Sequence, residues 1–229
     1  MNMPIGLNTV DDEVRGEHSY LPPSAQCFYW GNYTSYEHTE GKRADFSPTN
    51  RLVSNLKKKM SRRDAYDWKW KKQAIAQCAA AFSAMWDRQE LLQSRPMFVP
   101  MPPSRARGHE DYDPRMTEIL NAISRSGKVL DIRDCLSSDG RHVASHDAGA
   151  RPTPDELYAA LTFDAGIGKP ERVPGLIVIF DDVLTSGAHF VAASRKLSEA
   201  FAGVPIVGHF VARRVLPNDN DMFDILDLI

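Results

Sequence analysis

Apolar positions along the chain change period several times, and each change marks an element. Leu52, Val53 and Leu56 follow Ser47-Pro48-Thr49-Asn50, a helix-start signal: a hydroxyl that can cap the first free N–H groups, then a proline whose missing N–H costs nothing there. Over residues 73–92, Ala74, Ile75, Cys78, Phe82, Met85 and Trp86 recur at helical spacing and predict an amphipathic helix. Met97-Phe98-Val99 is a short apolar strand ending in Pro100-Met101-Pro102-Pro103, Met116, Ile119, Leu120 and Ile123 give a helix over 115–124, and residues 128–132 give a second strand. Residues 175–180 are apolar without interruption, as in a strand buried on both faces, and are followed by a turn, a helix over 191–201 and a strand over 206–211. Strands alternating with helices predict an α/β fold, an open and mainly parallel sheet flanked by helices, with right-handed crossovers.

The first part of the chain reads differently. Residues 1–24 are polar, close on Pro22-Pro23, and read as a poorly ordered arm or an edge covering. The aromatic cluster Phe28, Tyr29, Trp30, Tyr33 and Tyr36 predicts a short strand or hairpin that forms a lid or flank. Residues 1–94 are therefore read as an amino-terminal arm, an α+β aromatic hood or flank and a helix, and residues 95–229 as the α/β core. Within that core, residues 133–172 show little strand pattern beyond a short helix at 154–161. So long a polar excursion predicts a lid over a site.

Charge adds little at the scale of the chain: 28 basic against 30 acidic residues leave a net charge of −2, so an anionic ligand must be met by a local site. Cys27, Cys78 and Cys135 are odd in number and widely spaced, which suits neither a disulfide framework nor paired zinc ligands and suggests a reducing compartment. With no apolar run of membrane-spanning length, the protein is expected to be cytoplasmic and off the membrane. One local feature stands out: Lys57, Lys58, Lys59, Arg62, Arg63, Lys69, Lys71 and Lys72 interleave with Tyr66, Trp68 and Trp70, a mixture that can hold single-stranded nucleic acid or a partner protein by charge and stacking. The plainer reading, a solvated face beside a helix, takes precedence.

The chemistry concentrates in Leu176-Ile177-Val178-Ile179-Phe180-Asp181-Asp182-Val183-Leu184-Thr185-Ser186-Gly187-Ala188-His189. A buried parallel strand delivers two carboxylates to its carboxyl end, where open α/β sheets bind ligands. Charges so costly to desolvate need a reason. The small hydroxyl residues and Gly187 then lead into a helix, so that backbone N–H groups and the positive end of the helix dipole can surround a phosphate. The plain alternative is a β-to-α turn in an unrelated doubly wound protein.

This stretch closely resembles the phosphoribosyl-pyrophosphate motif of type I phosphoribosyltransferases, in which four apolar residues precede two acids, two aliphatic residues, two small hydroxyl residues and glycine. The resemblance implies that Asp181 and Asp182 receive the ribose hydroxyls and serve catalysis. It also implies that Thr185, Ser186, Gly187, Ala188 and His189 hold the 5′-phosphate, and that Mg2+ reaches the acids indirectly through the ligand. His189 departs from the pattern, which places a small hydroxyl residue there. Residues 97–108 resemble the first strand and pyrophosphate loop of competence-type (ComF-like) members, implying that Ser104, Arg105 and Arg107 bind pyrophosphate; the plain reading is an exposed basic loop. That subfamily continues with Phe-Asn-Gln, where this chain has His109-Glu110-Asp111, and it carries a four-cysteine module that is absent here. Where the family places its flexible loop lie His146, a candidate for proton exchange with an acceptor, and Arg151, a candidate pyrophosphate ligand; each is equally an ordinary loop residue. A nucleophilic role for Cys135 has only His142 and His146 nearby in sequence to recommend it, and the family chemistry needs no thiol.

The resemblance spans residues 95–214 and implies a glycosyltransferase that binds 5-phosphoribosyl pyrophosphate with Mg2+ and passes its ribosyl phosphate to an acceptor or releases it, in nucleotide metabolism. Two other readings stay open: a non-catalytic regulator that binds phosphoribosyl pyrophosphate or a nucleotide, and an effector of a bacterial antiphage (antiviral) defence system, such as a retron, that acts with nucleic acid or a partner protein at residues 57–72. Assembly with further copies of the chain is compatible with each.

Overall fold

The apolar run ahead of the two aspartates forms the centre of the molecule. In the computed structural model, which describes residues 6–140 and 152–216, strand β7 (Leu176–Leu184) pairs in parallel with β3 (Pro96–Pro100) on one side and β8 (Ile206–Val215) on the other. Beyond β3 lies the short β4 (Asp131–Ile132). Beyond β8 lie β2 (Gln26–Thr34), also parallel, and the antiparallel edge strand β1 (Asn8–Thr9), so the six-stranded sheet runs β1-β2-β8-β7-β3-β4. A separate antiparallel hairpin pairs β5 (Leu136–Ser138) with β6 (Leu161–Phe163).

Period-two alternation divides the sheet residues between two apolar layers. Phe98, Val178 and Phe180 point to one face, against Phe82 of α3 (Trp68–Met85), Trp86 just after it, and Leu120 and Ile123 of α5 (Arg115–Arg125). Met97, Ile177 and Ile179 point to the other, against Ala193 and Leu197 of α8 (Ala188–Ala200). Burial on both faces is why β7 reads as continuous apolar sequence. The first face is completed by α2 (Pro48–Leu56), where the Ser47 side chain accepts from Asn50 N–H at 3.0 Å, a cap of the kind worth about 1 kcal/mol. Short helices α1 (Asp12–Arg15), α4 (Arg88–Ser94), α6 (Pro154–Ala160) and α7 (Ala165–Gly168) fill the connections.

The helix after β3 lies on one face and the helix after β7 on the other, so the chain reverses its winding between these neighbouring strands. Such a switch point opens a crevice at the strands' carboxyl ends.

Several elements differ from the sequence pattern. Residues 28–36 were expected to form a short strand or hairpin as a lid or flank; the strand is present as β2, but it lies inside the sheet, with Cys27 and Tyr29 in one apolar layer and Trp30 in the other. The helix expected over 73–92 breaks at Trp86, whose backbone is extended, because the Asp87 side chain caps a new helix by accepting from Gln89 and Glu90 N–H groups. Strand 128–132 shrinks to two residues with Val129 at the surface. The helix placed at 191–201 begins three residues earlier, at Ala188. Residues 133–172 contain the β5–β6 hairpin, α6 and α7 among those described. Of the two readings of the polar arm, residues 8–25 follow the edge covering.

Candidate functional site

The crevice at the switch point is a cleft of roughly 320 Å³, lined by Asp181 and Asp182 near the end of β7, by Thr185, Ser186, Ala188 and His189 after it, by the loop 101–104 after β3, by Pro152, and by Lys57 and Arg115. Its two acids have unlike surroundings. Asp182 turns toward the face covered by α2 and α5, where its Oδ2 accepts from Arg115 Nε at 2.9 Å and Nη2 at 2.5 Å, and its Oδ1 lies 3.3 Å from Lys57 Nζ. Arg115 reaches onward through Nη1 to Asp113 Oδ2 at 2.8 Å, and the buried Lys71 donates to the same oxygen at 2.8 Å and to the Leu56 carbonyl. Lys57, Asp182, Arg115, Asp113 and Lys71 thus form one chain of alternating charge.

These contacts divide the titration of the pair. Burial alone would raise both carboxyls. At Asp182, Lys57 and Arg115 outweigh burial and hold the carboxyl well below the usual range. Asp181, which neither cation grips directly, is raised well above that range, first by burial and then by the charge of Asp182, although its Oδ1 accepts from Asp182 N–H at 2.7 Å. The guanidinium of Arg115 is held charged by Asp182 and Asp113 against the cost of burial.

After β7 the chain bends through Thr185-Ser186-Gly187, with Gly187 at φ +86°, and enters α8, a helix long enough to carry a positive amino-terminal end. The bend places Thr185, Ser186, Ala188 and His189 on the cleft, as anion binding at a helix start requires.

Ser104 lines the cleft, whereas Arg105 is half-buried in the same loop outside its lining. Arg107 turns away: its Nη2 donates to Asp134 Oδ1 and to the Asp134 carbonyl, both at 2.6 Å, and to the Leu136 carbonyl at 3.2 Å, fixing the approach to β5. His146 and Arg151 lie outside the described residues. Among the described residues, the cations that reach the cleft are Lys57 and Arg115, which the sequence reading missed as site residues. Lys57 was absorbed into a basic run and Arg115 into the start of an amphipathic helix, and neither carries a local signal of its partner.

Much of the basic-aromatic stretch is paired within the chain. Arg62 and Lys58 meet Asp67, Lys69 lies over the Tyr66 and Trp70 rings, and Lys71 is buried; Lys59, Arg63 and Lys72 stand at the surface. All three cysteines are buried and free. Burial pushes the Cys27 and Cys135 thiols up to about 12 and raises Cys78 further, so none is poised as a thiolate. Among the described residues no group of three or more His, Cys, Asp or Glu side chains converges as metal ligands, and no helix is long and apolar enough to cross a membrane.

Fold and site together define the class: an open α/β protein with an asymmetric acid pair and a helix-opening glycine turn at the switch point of its sheet. Compared with models of protein families and with curated proteins, the chain matches none.

Proposed function

We propose that the chain is a phosphoribosyltransferase-like enzyme that binds 5-phosphoribosyl pyrophosphate with Mg2+ and transfers its ribosyl phosphate to an acceptor or releases it. The observation that carries this reading is the convergence, in one cleft, of a strand-end acid pair, a helix-opening glycine turn and two cations. In this reading the 5′-phosphate sits on the turn 185–189, under the helix dipole. The ribose hydroxyls donate to Asp181, and Lys57 with Ser104 faces the pyrophosphate. The bond from the anomeric carbon to the pyrophosphate oxygen breaks with its electron pair leaving on pyrophosphate, and the acceptor's lone pair forms the new bond as the acceptor gives up a proton to water. Lys57 and Arg115 favour the departing charge by their positions at the cleft wall.

The residues present suit a magnesium ion carried in with the ligand: phosphoryl oxygens would hold it and Asp181 would reach it, since Asp182 already spends its charge on Arg115 and Lys57. The chemistry such an ion would supply when bound is neutralisation of the charge on the leaving pyrophosphate.

That pairing of Asp182 also favours a second reading, a regulator that binds the same ligand without turning it over, because an acid already neutralised by two cations has little charge to offer a cationic transition state. Calorimetric titration with phosphoribosyl pyrophosphate and ribose 5-phosphate, paired with an assay of pyrophosphate release, tests both. Asp181→Asn is expected to weaken both ligands by about 10- to 100-fold, the loss of one charged hydrogen bond. Lys57→Ala is expected to weaken phosphoribosyl pyrophosphate far more than ribose 5-phosphate. Metal-dependent release of pyrophosphate assigns the enzyme, and binding without release assigns the regulator. Unchanged affinity in Asp181→Asn removes the cleft from either role.

A further inference from the structure

Residues 15–25 run as a strap against the turn that opens α8, and none of them lines the cleft. The strap has its own anchors. Arg15 donates to the carbonyls of Val10, Pro22 and Ala25, and Glu17 ties down the end of β8 by an ion pair with Arg213, Nη1 to Oε1 2.9 Å, and by accepting from Leu216 N–H at 2.9 Å.

Three contacts join this strap to the turn. His18, 1% exposed, has Nδ1 2.5 Å from the Thr185 carbonyl oxygen; a carbonyl only accepts, so Nδ1 carries the proton. Tyr20 N–H donates to the Ser186 carbonyl at 2.9 Å. Leu21 packs so closely beneath Gly187 that a Cβ there would lie 2.7 Å from its Cγ. Burial lowers the pKa of His18, and its Nε2 is buried with no partner among the described residues, which suits a neutral ring beside Arg15 and Arg213.

The contacts fix orientation as well as position. In a trans peptide the carbonyl and the following N–H point in opposite directions, and the described chain has no cis bond. With the Thr185 and Ser186 carbonyls both drawn back onto the strap, the N–H groups of Ser186 and Gly187 are aimed the other way. Two successive N–H groups so aimed ahead of a helix start form a concavity for an anion. We propose that His18 is a positioning residue for anion binding: it holds the Thr185–Ser186 peptide plane in the orientation that a phosphoryl group requires. This inference rests on reading turn 185–189 as the phosphate subsite.

The test compares His18→Leu, which keeps bulk and removes the donor, with His18→Asn, whose side-chain amide can replace Nδ1. The probe is inorganic phosphate in calorimetric titration of the full chain, with melting temperature recorded for each variant. His18→Leu should weaken phosphate by about tenfold, the scale of one lost hydrogen bond, while His18→Asn stays within about threefold of the parent. Should His18→Leu not fold, Tyr20→Pro, which removes the N–H holding the Ser186 carbonyl, is expected to give the same loss. A parent protein that binds no phosphate overturns the subsite and this proposal together. Phosphate binding by the parent that survives His18→Leu, or Tyr20→Pro in its place, overturns the proposal alone. So does an equal loss in the Leu and Asn variants, which would make His18 a packing residue only.

Discussion

A β-strand points successive side chains to opposite faces, and at the end of β7 that alternation separates two acids adjacent in sequence. Asp182 is drawn into a buried chain of charges with Arg115 and Lys57, while Asp181 keeps its carboxylate toward the cleft under the repulsion of its neighbour. Removing one partner of a buried pair leaves the other charge uncompensated, so Asp182→Asn should lower the unfolding free energy by about 3 kcal/mol. Asp181→Asn relieves a like-charge contact and should leave stability unchanged or raise it slightly. Urea denaturation of the two single variants measures this difference. Equal losses would show that Arg115 and Lys57 do not discriminate between the acids.

At the scale of the element, the turn before α8 and the strap against it are one unit. Gly187 has a left-handed backbone and a leucine packed against the place where a side chain would begin. Gly203 also has positive φ, at +78°, but nothing lies within 4 Å of its missing Cβ. The two glycines therefore separate backbone strain from crowding. Gly203→Ala should cost about 1 kcal/mol, the conformational penalty alone. Gly187→Ala should cost clearly more and should also weaken phosphate, because Leu21 must move and take the strap with it. Thermal melting with phosphate titration of both variants provides the comparison, and equal costs would remove the strap from the account of the turn.

Across the whole molecule the sheet couples segments distant in sequence, and one such join sets a dependence on pH. His209 of β8 accepts from Trp86 Nε1 at 3.0 Å, packs edge-on to Phe28, and is held by burial down to about 4. In the unfolded chain a histidine binds its proton near 6.5. Between these values the unfolded state carries a proton that the folded state refuses. The contribution of His209 is therefore complete above about pH 6.5 and lost as pH falls toward 4, by up to about 3 kcal/mol. His209→Gln, which keeps an acceptor for Trp86 but does not titrate, should flatten that part of the stability curve. His18, also lowered by burial, should retain a residual slope. Identical pH profiles for parent and variant would show that His209 is not the group responsible.

Whatever depends on neighbours along the chain is legible in the residues alone. The apolar run before Asp181 reports a strand buried on both faces, Ser47-Pro48 reports a helix start, and Thr185-Ser186-Gly187 reports a turn into a helix, since each is written in residues a few positions apart. Which distant groups share a space is set by the packing of the folded chain. Nothing local marks Lys57 and Arg115 as partners of Asp182, turns Arg107 toward Asp134, or brings His18 to Thr185. Long charged side chains are placed by Coulomb attraction and desolvation once packing has set the backbone, and those forces act across space without leaving a period in the sequence. The aromatic segment 28–36 failed as a flank for the same reason: a strand alternates its side chains whether it covers a core or crosses one, and only its partner β8 decided which.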